Sequence, residues 1–107
     1  MSDKPKPSHA PIYAACVYPE MAELFRRCGY ALAVHGSMQR DFDLIAVPWV
    51  DSPTPCEKVV RSITETWDMR VVGEIGEKPH GRRVWTLSLS GSCFLDLSFF
   101  PTEGGAA

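Results

Sequence analysis

Asp41, Asp43 and Asp96 are the residues whose type and setting best suit chemistry. Asp41 and Asp43 stand one residue apart at the head of the run DFDLIAVPWV, residues 41–50. Side chains alternate along an extended strand, so both carboxylates leave on one face and Phe42 on the other. Their Cα atoms are then about 7 Å apart, and the two carboxylates can converge on one cation. Without a cation they repel, and like charges on one face of an apolar strand cost stability. Asp96 interrupts a second apolar run, CFLDLSFF at 93–100. If the two strands pair, three oxygen ligands face one place, a set suited to Mg2+ or Mn2+. Two ions bridged by such carboxylates suit phosphoryl or nucleotidyl transfer. Plainer roles are open as well: aspartates at strand starts serve as turn residues, and Asp96 can form a structural ion pair with Arg40, Arg82 or Arg83.

Gly36 and Ser37 follow a short apolar run, where backbone N–H groups and a hydroxyl can approach a phosphate. Lys78, His80, Arg82 and Arg83 form a basic cluster in an expected hairpin turn, either a phosphate contact or a solvated surface. His35 can reach a phosphate or serve as a hydrogen-bonded structural histidine. Trp49, Trp67 and Trp85 lie in register with apolar stripes and fit core or rim positions. Ser37 has no evident His or Asp partners, which argues against a hydrolase triad.

The elements that must position these residues are legible from periodicity. Pro19 to Cys28 reads as an amphipathic helix, with Met21, Leu24, Phe25 and Cys28 on one stripe and Gly29 as its left-handed stop. Tyr30 to His35 reads as a buried strand, and Asp41 to Val50 as a central strand that Pro48 ends or holds to an edge. A second helix is expected from Pro55 to Trp67, opened by a Thr54/Glu57 capping box, with Cys56, Val59, Val60, Ile63 and Trp67 facing the core. Strands follow over 70–75, 84–90 and 93–100, joined by turns at 77–82 and Gly91-Ser92. The expected fold class is α+β: a mixed sheet of about five strands with helices packed mainly on one face.

A chain of 107 residues with 45% hydrophobic and 22% charged residues has the composition of one globular domain with one core. Residues 1–11 and 101–107 read as flexible tails around a domain at 12–100. The net charge of -2 gives no basic field, so strong non-specific nucleic-acid binding is not expected. Cys16, Cys28, Cys56 and Cys93 contain no CxxC pair and read as small buried hydrophobes in a reducing compartment. No apolar run approaches the roughly 18 residues of a membrane span, and a cytoplasmic protein is expected.

The apolar strand ALAVH with Gly36-Ser37, the strand start Asp41-Phe42-Asp43-Leu44, and Phe94-Leu95-Asp96-Leu97 together resemble the nucleotidyltransferase superfamily that includes DNA polymerase beta and the minimal nucleotidyltransferases of bacteria. The match follows element order over about residues 19–100. Residues 35–49 are also similar to small uncharacterised proteins of bacteriophages, which would put the protein in the host cytoplasm. The resemblance implies a nucleotidyltransferase-like fold that moves a nucleoside monophosphate from an NTP to an unknown hydroxyl acceptor. It implies phosphate contact by Gly36, Ser37 and Arg40, Mg2+ or Mn2+ held by Asp41, Asp43 and Asp96, and activation of the acceptor by Asp96. Only Met38, Gln39 and Arg40 separate Ser37 from Asp41, where the family has a longer segment with a short helix. The alternative is a catalytically degenerate member that binds a nucleotide or a protein partner without chemistry.

Overall fold

The computed structural model describes residues 15–36, 41–88 and 94–101. The elements run α1 (Tyr18–Arg27), β1 (Tyr30–His35), β2 (Phe42–Pro48), α2 (Cys56–Trp67), β3 (Arg70–Lys78), a 3-10 turn (Pro79–Gly81), β4 (Arg82–Ser88) and β5 (Phe94–Phe99). The five strands form one mixed sheet in the order β1-β2-β5-β4-β3, in which only β2 and β5 run parallel. The α+β class, the mixed five-stranded sheet and the two helices agree with the periodicity of the sequence.

Alternation divides the sheet into two unlike faces. Leu32, Phe42, Leu44, Ala46, Trp85, Leu87, Leu95, Leu97 and Phe99 are buried and share one core with Met21 and Phe25 of α1 and Val59, Val60 and Ile63 of α2. Both helices therefore cover the same face. Phe99 is the centre of an aromatic cluster, its ring 5.2 Å from Tyr30, 5.4 Å from Trp85 and 5.8 Å from Phe25. The Tyr18 hydroxyl donates to the Leu32 carbonyl at 2.6 Å and ties α1 to β1. Leu24 and Cys28 lie at the margin of the core, as do Cys56 and Trp67.

Gly29 takes the left-handed conformation after α1, with φ +96, and its carbonyl accepts the Trp49 N–H at 2.9 Å. That contact fixes the chain where β2 ends at Pro48. The start of α2 differs from expectation. Its N-cap is Pro55, no side chain caps it, and the Thr54/Glu57 capping box does not form. Thr54 is engaged elsewhere: its N–H donates to the Cys28 carbonyl at 2.8 Å and its own carbonyl accepts the Tyr30 hydroxyl at 2.7 Å. Glu57 reaches across to Arg83 instead, at 2.8 Å. β3 runs three residues beyond its expected end at Ile75, because a register irregularity between Val72 and Gly76, with Gly73 at φ +72, lets pairing with β4 resume. Cys16 is exposed rather than buried, and Cys28 and Cys56 are half-buried free thiols. Cys93 and the Gly91-Ser92 turn lie outside the described residues, as do the tail at 1–11 and all of the tail at 101–107 except Pro101.

Candidate paired-carboxylate site

The sheet face turned away from the helices carries the candidate site. Strand pairing places His35 opposite Asp43, Asp43 opposite Asp96, Asp96 opposite Thr86 and Thr86 opposite Val72, one row crossing all five strands. The condition set by the sequence, that the strand of Asp96 lie beside the strand of Asp43, is met through the parallel β2–β5 pair. Each carboxylate leaves on the open face because its neighbours, Phe42 and Leu44 on β2 and Leu95 and Leu97 on β5, point into the core.

Asp43 is half-buried beside a second half-buried carboxyl, Asp96. Burial pushes the acidity of Asp43 to a higher pKa, and the Asp96 carboxylate reinforces this by its charge and by sharing a hydrogen bond; Asp41 adds to the effect, while His35 opposes it. Asp96 has a second partner, the Thr86 hydroxyl, which donates to its Oδ1 at 3.1 Å. Asp96 therefore does not form the structural ion pair that Arg82 or Arg83 offered. The Arg83 side chain is on the helix face, stacked over Trp85 at 4.9 Å and paired with Glu57, where it lines a cleft of about 260 Å³ with Tyr30, Cys56 and Phe99. Arg82 stays on the open face, its Nε donating to the Pro79 carbonyl at 3.3 Å and its guanidinium over the Phe100 ring at 5.4 Å. The basic cluster of the sequence is thus split between two faces.

Gly36 follows β1 at φ +80, and a Cβ there would run into Asp43 Oδ2. The Gly36 backbone accordingly packs against the Asp43 carboxylate, a close approach that only glycine permits. Asp41 immediately precedes β2, two residues from Asp43. Ser37 and Arg40 lie outside the described residues. Among the described residues no group of three or more His, Cys, Asp and Glu is gathered to hold a metal ion. The donors that do meet, Asp43 and Asp96, are hard oxygen ligands of the type Mg2+ prefers, and one or two carboxylates suffice where substrate phosphates complete the shell. A cation between them would also relieve the repulsion that raises Asp43.

Thr86 and Ser98 were not singled out by their sequence context. Both sit at polar positions of strands that alternate cleanly, and only the order of strands in the sheet shows what each one faces. His35 ends its strand exposed, and of the core and rim positions open to Trp49 its 58% exposure fits the rim.

No protein-family model matches this chain, and no curated protein or solved structure matches it. The fold and site therefore define a class only: an α+β domain with a mixed sheet, helices on one face and a carboxyl pair on the other. None of its helices is long and apolar enough to cross a membrane among the described residues.

Proposed function

We propose that the protein is a metal-dependent nucleotidyltransferase of the DNA polymerase beta-like type, moving a nucleoside monophosphate from an NTP to a hydroxyl acceptor, with the α–β phosphoanhydride bond broken and pyrophosphate released. The observation that carries this reading is the in-register pairing of Asp43 with Asp96 on parallel strands, with the Gly36 backbone packed against Asp43. Asp43 and Asp96 would hold Mg2+ or Mn2+, with Asp41 at the approach. Bound there, the ion would offset the negative charge that develops on the transferred phosphate. The turn at Gly36 would bring backbone donors to the phosphates, with Ser37 and Arg40 from the adjoining segment. Asp96 would accept the proton of the acceptor hydroxyl, its carboxylate oriented by the Thr86 hydroxyl. The test is calorimetric titration with ATP, GTP, CTP and UTP in Mg2+ or Mn2+, comparing wild type with Asp43→Asn. Metal-dependent binding that the variant loses supports the reading, and no binding by the wild-type protein removes it.

One feature favours a second reading, a nucleotidyltransferase-like protein that grips a protein partner without chemistry. Trp49, Val47 and Val50 form an exposed apolar group at the end of β2, with Val47 43% exposed. Absence of metal-dependent nucleotide binding, together with self-association or partner binding that Trp49→Ser abolishes, would favour it.

A further inference from the structure

Beyond the carboxyl pair, the open face carries two more features in line with it. Asp96, Ser98 and Phe100 alternate onto that face along β5, and the Phe100 N–H extends the ladder by donating to the Ala46 carbonyl at 3.0 Å. On the antiparallel neighbour, Thr86, Val84 and Arg82 run alongside them. Successive same-face positions on a strand are about 7 Å apart. The line therefore reads carboxyl pair, hydroxyl, arginine on an aromatic ring, in equal steps.

Ser98 is the unusual member. It lies between Ile45 and Val84 in the floor of the face, only 5% exposed, and is the one buried polar residue among those described. Its hydroxyl makes no hydrogen bond to a described residue, yet it is not sealed from solvent. A hydroxyl can both donate and accept, and because this one reaches solvent in the row between the carboxyl pair and Arg82 it can exchange water for a ligand lying on the face. At the far end, the guanidinium of Arg82 rests on Phe100 and is held by the Pro79 carbonyl. A guanidinium beside an aromatic ring offers the two kinds of group, cation and π-face, on which nucleobases stack.

Building on the nucleotidyltransferase reading, we infer that the donor nucleotide lies along β5, its phosphates at Asp43 and Asp96, its sugar over Ser98 and its base against the Arg82–Phe100 stack. The order phosphate, sugar, base matches the order carboxyl pair, hydroxyl, stacking surface. The floor between, Ile45 and Val84, is apolar and suits the edge of a sugar and base better than a second phosphate.

The test separates the base end from the phosphate end. Affinities of ATP and of inorganic triphosphate are measured calorimetrically in the presence of Mn2+ for wild type, Arg82→Ala, Phe100→Leu and Ser98→Ala. Wild type should bind ATP at least about tenfold more tightly than triphosphate, the scale of one base stack. Arg82→Ala and Phe100→Leu should shrink that preference to within about twofold, and Ser98→Ala should weaken ATP several-fold, all with triphosphate binding unchanged. Unchanged triphosphate binding also reports that each variant is folded. Equal affinity of wild type for the two ligands, an unaltered preference in the variants, or loss of triphosphate binding in Arg82→Ala overturns this placement and leaves the transferase reading standing. Wild type that binds neither ligand removes both.

Discussion

Asp43 and Asp96 stand side by side on the parallel strands β2 and β5, and burial together with the neighbouring Asp96 carboxylate raises the pKa of Asp43. Because burial and its neighbour raise the folded-state pKa of Asp43, the folded protein binds more protons than the unfolded chain over the interval between the ordinary carboxylate value and the raised one. Stability must therefore fall as pH rises through that interval, and the penalty persists at neutral pH. Asp43→Asn removes both the charge and its titration. We expect it to be more stable than wild type at pH 7 by roughly 0.2–0.5 kcal/mol, the lower part of the cross-strand pair scale because solvent screens a half-buried carboxyl, with the gain vanishing at acid pH. Urea unfolding at a series of pH values checks this; a variant less stable than wild type at neutral pH would contradict it.

Gly36 sets how closely the turn approaches that pair. Gly36→Ala meets two obstacles: a left-handed φ of +80, and the Asp43 carboxylate where the new Cβ would stand. The conformational part alone costs about 1–2 kcal/mol. Asp43→Ala should remove the collision and leave the backbone strain, so the double variant should be less destabilised than the sum of the single ones. A double-mutant cycle in urea measures the coupling, and strict additivity would show that the two residues do not press on each other.

Much of this arrangement is legible in the chain itself. The stripe of α1, the β1 boundaries and the alternation of β4 and β5 follow from apolar spacing, because a single helical face or sheet face decides where each side chain goes. The two same-face aspartates are legible for the same reason. Long-range choices are not. The expected Thr54/Glu57 capping box does not form, and the Thr54 backbone is instead bonded to Cys28 and Tyr30, residues far away in sequence. The partners of Asp96 and Asp43 depend on β5 inserting beside β2 rather than at an edge, and Thr86 and Ser98 gain their places from that insertion. Arg82 and Arg83 look equivalent in sequence, yet alternation sends one to Phe100 on the open face and the other to Glu57 and Trp85 on the helix face.

Tyr30 links β1 to the loop before α2 and should govern behaviour at high pH. Burial, with the nearby Cys56, Cys28 and Glu57 adding to it, pushes its phenol up to about 12. A phenol harder to ionise when folded contributes stability that is complete below its unfolded value, near 10, and is lost as pH rises toward 12. Tyr30→Phe should lose about 1–2 kcal/mol at pH 7, because the Thr54 carbonyl is left without its 2.7 Å donor, and should show less of the alkaline decline. Thermal melts of both proteins between pH 8 and about pH 11 test it, since ionisation begins near the reference phenol value. Parallel pH profiles would refute the assignment.

Leu97 and Ile45 measure how differently the two faces of the sheet contribute. Leu97 is fully buried, paired in register with Leu44 and Trp85 beneath both helices. Leu97→Ala leaves a cavity in a packed layer and should cost about 2–5 kcal/mol. Ile45 is only half-buried, on the face that the helices do not cover, and truncating it removes less apolar surface from contact. Ile45→Ala should cost well under half as much, because the transfer part scales with the area buried and solvent can fill the space left. Denaturant midpoints at one pH decide between this and a face covered as fully as the core. If Ile45→Ala is as damaging as Leu97→Ala, the open face is packed in solution, by a second copy or by another part of the chain, and the surface proposed to receive a nucleotide is not free.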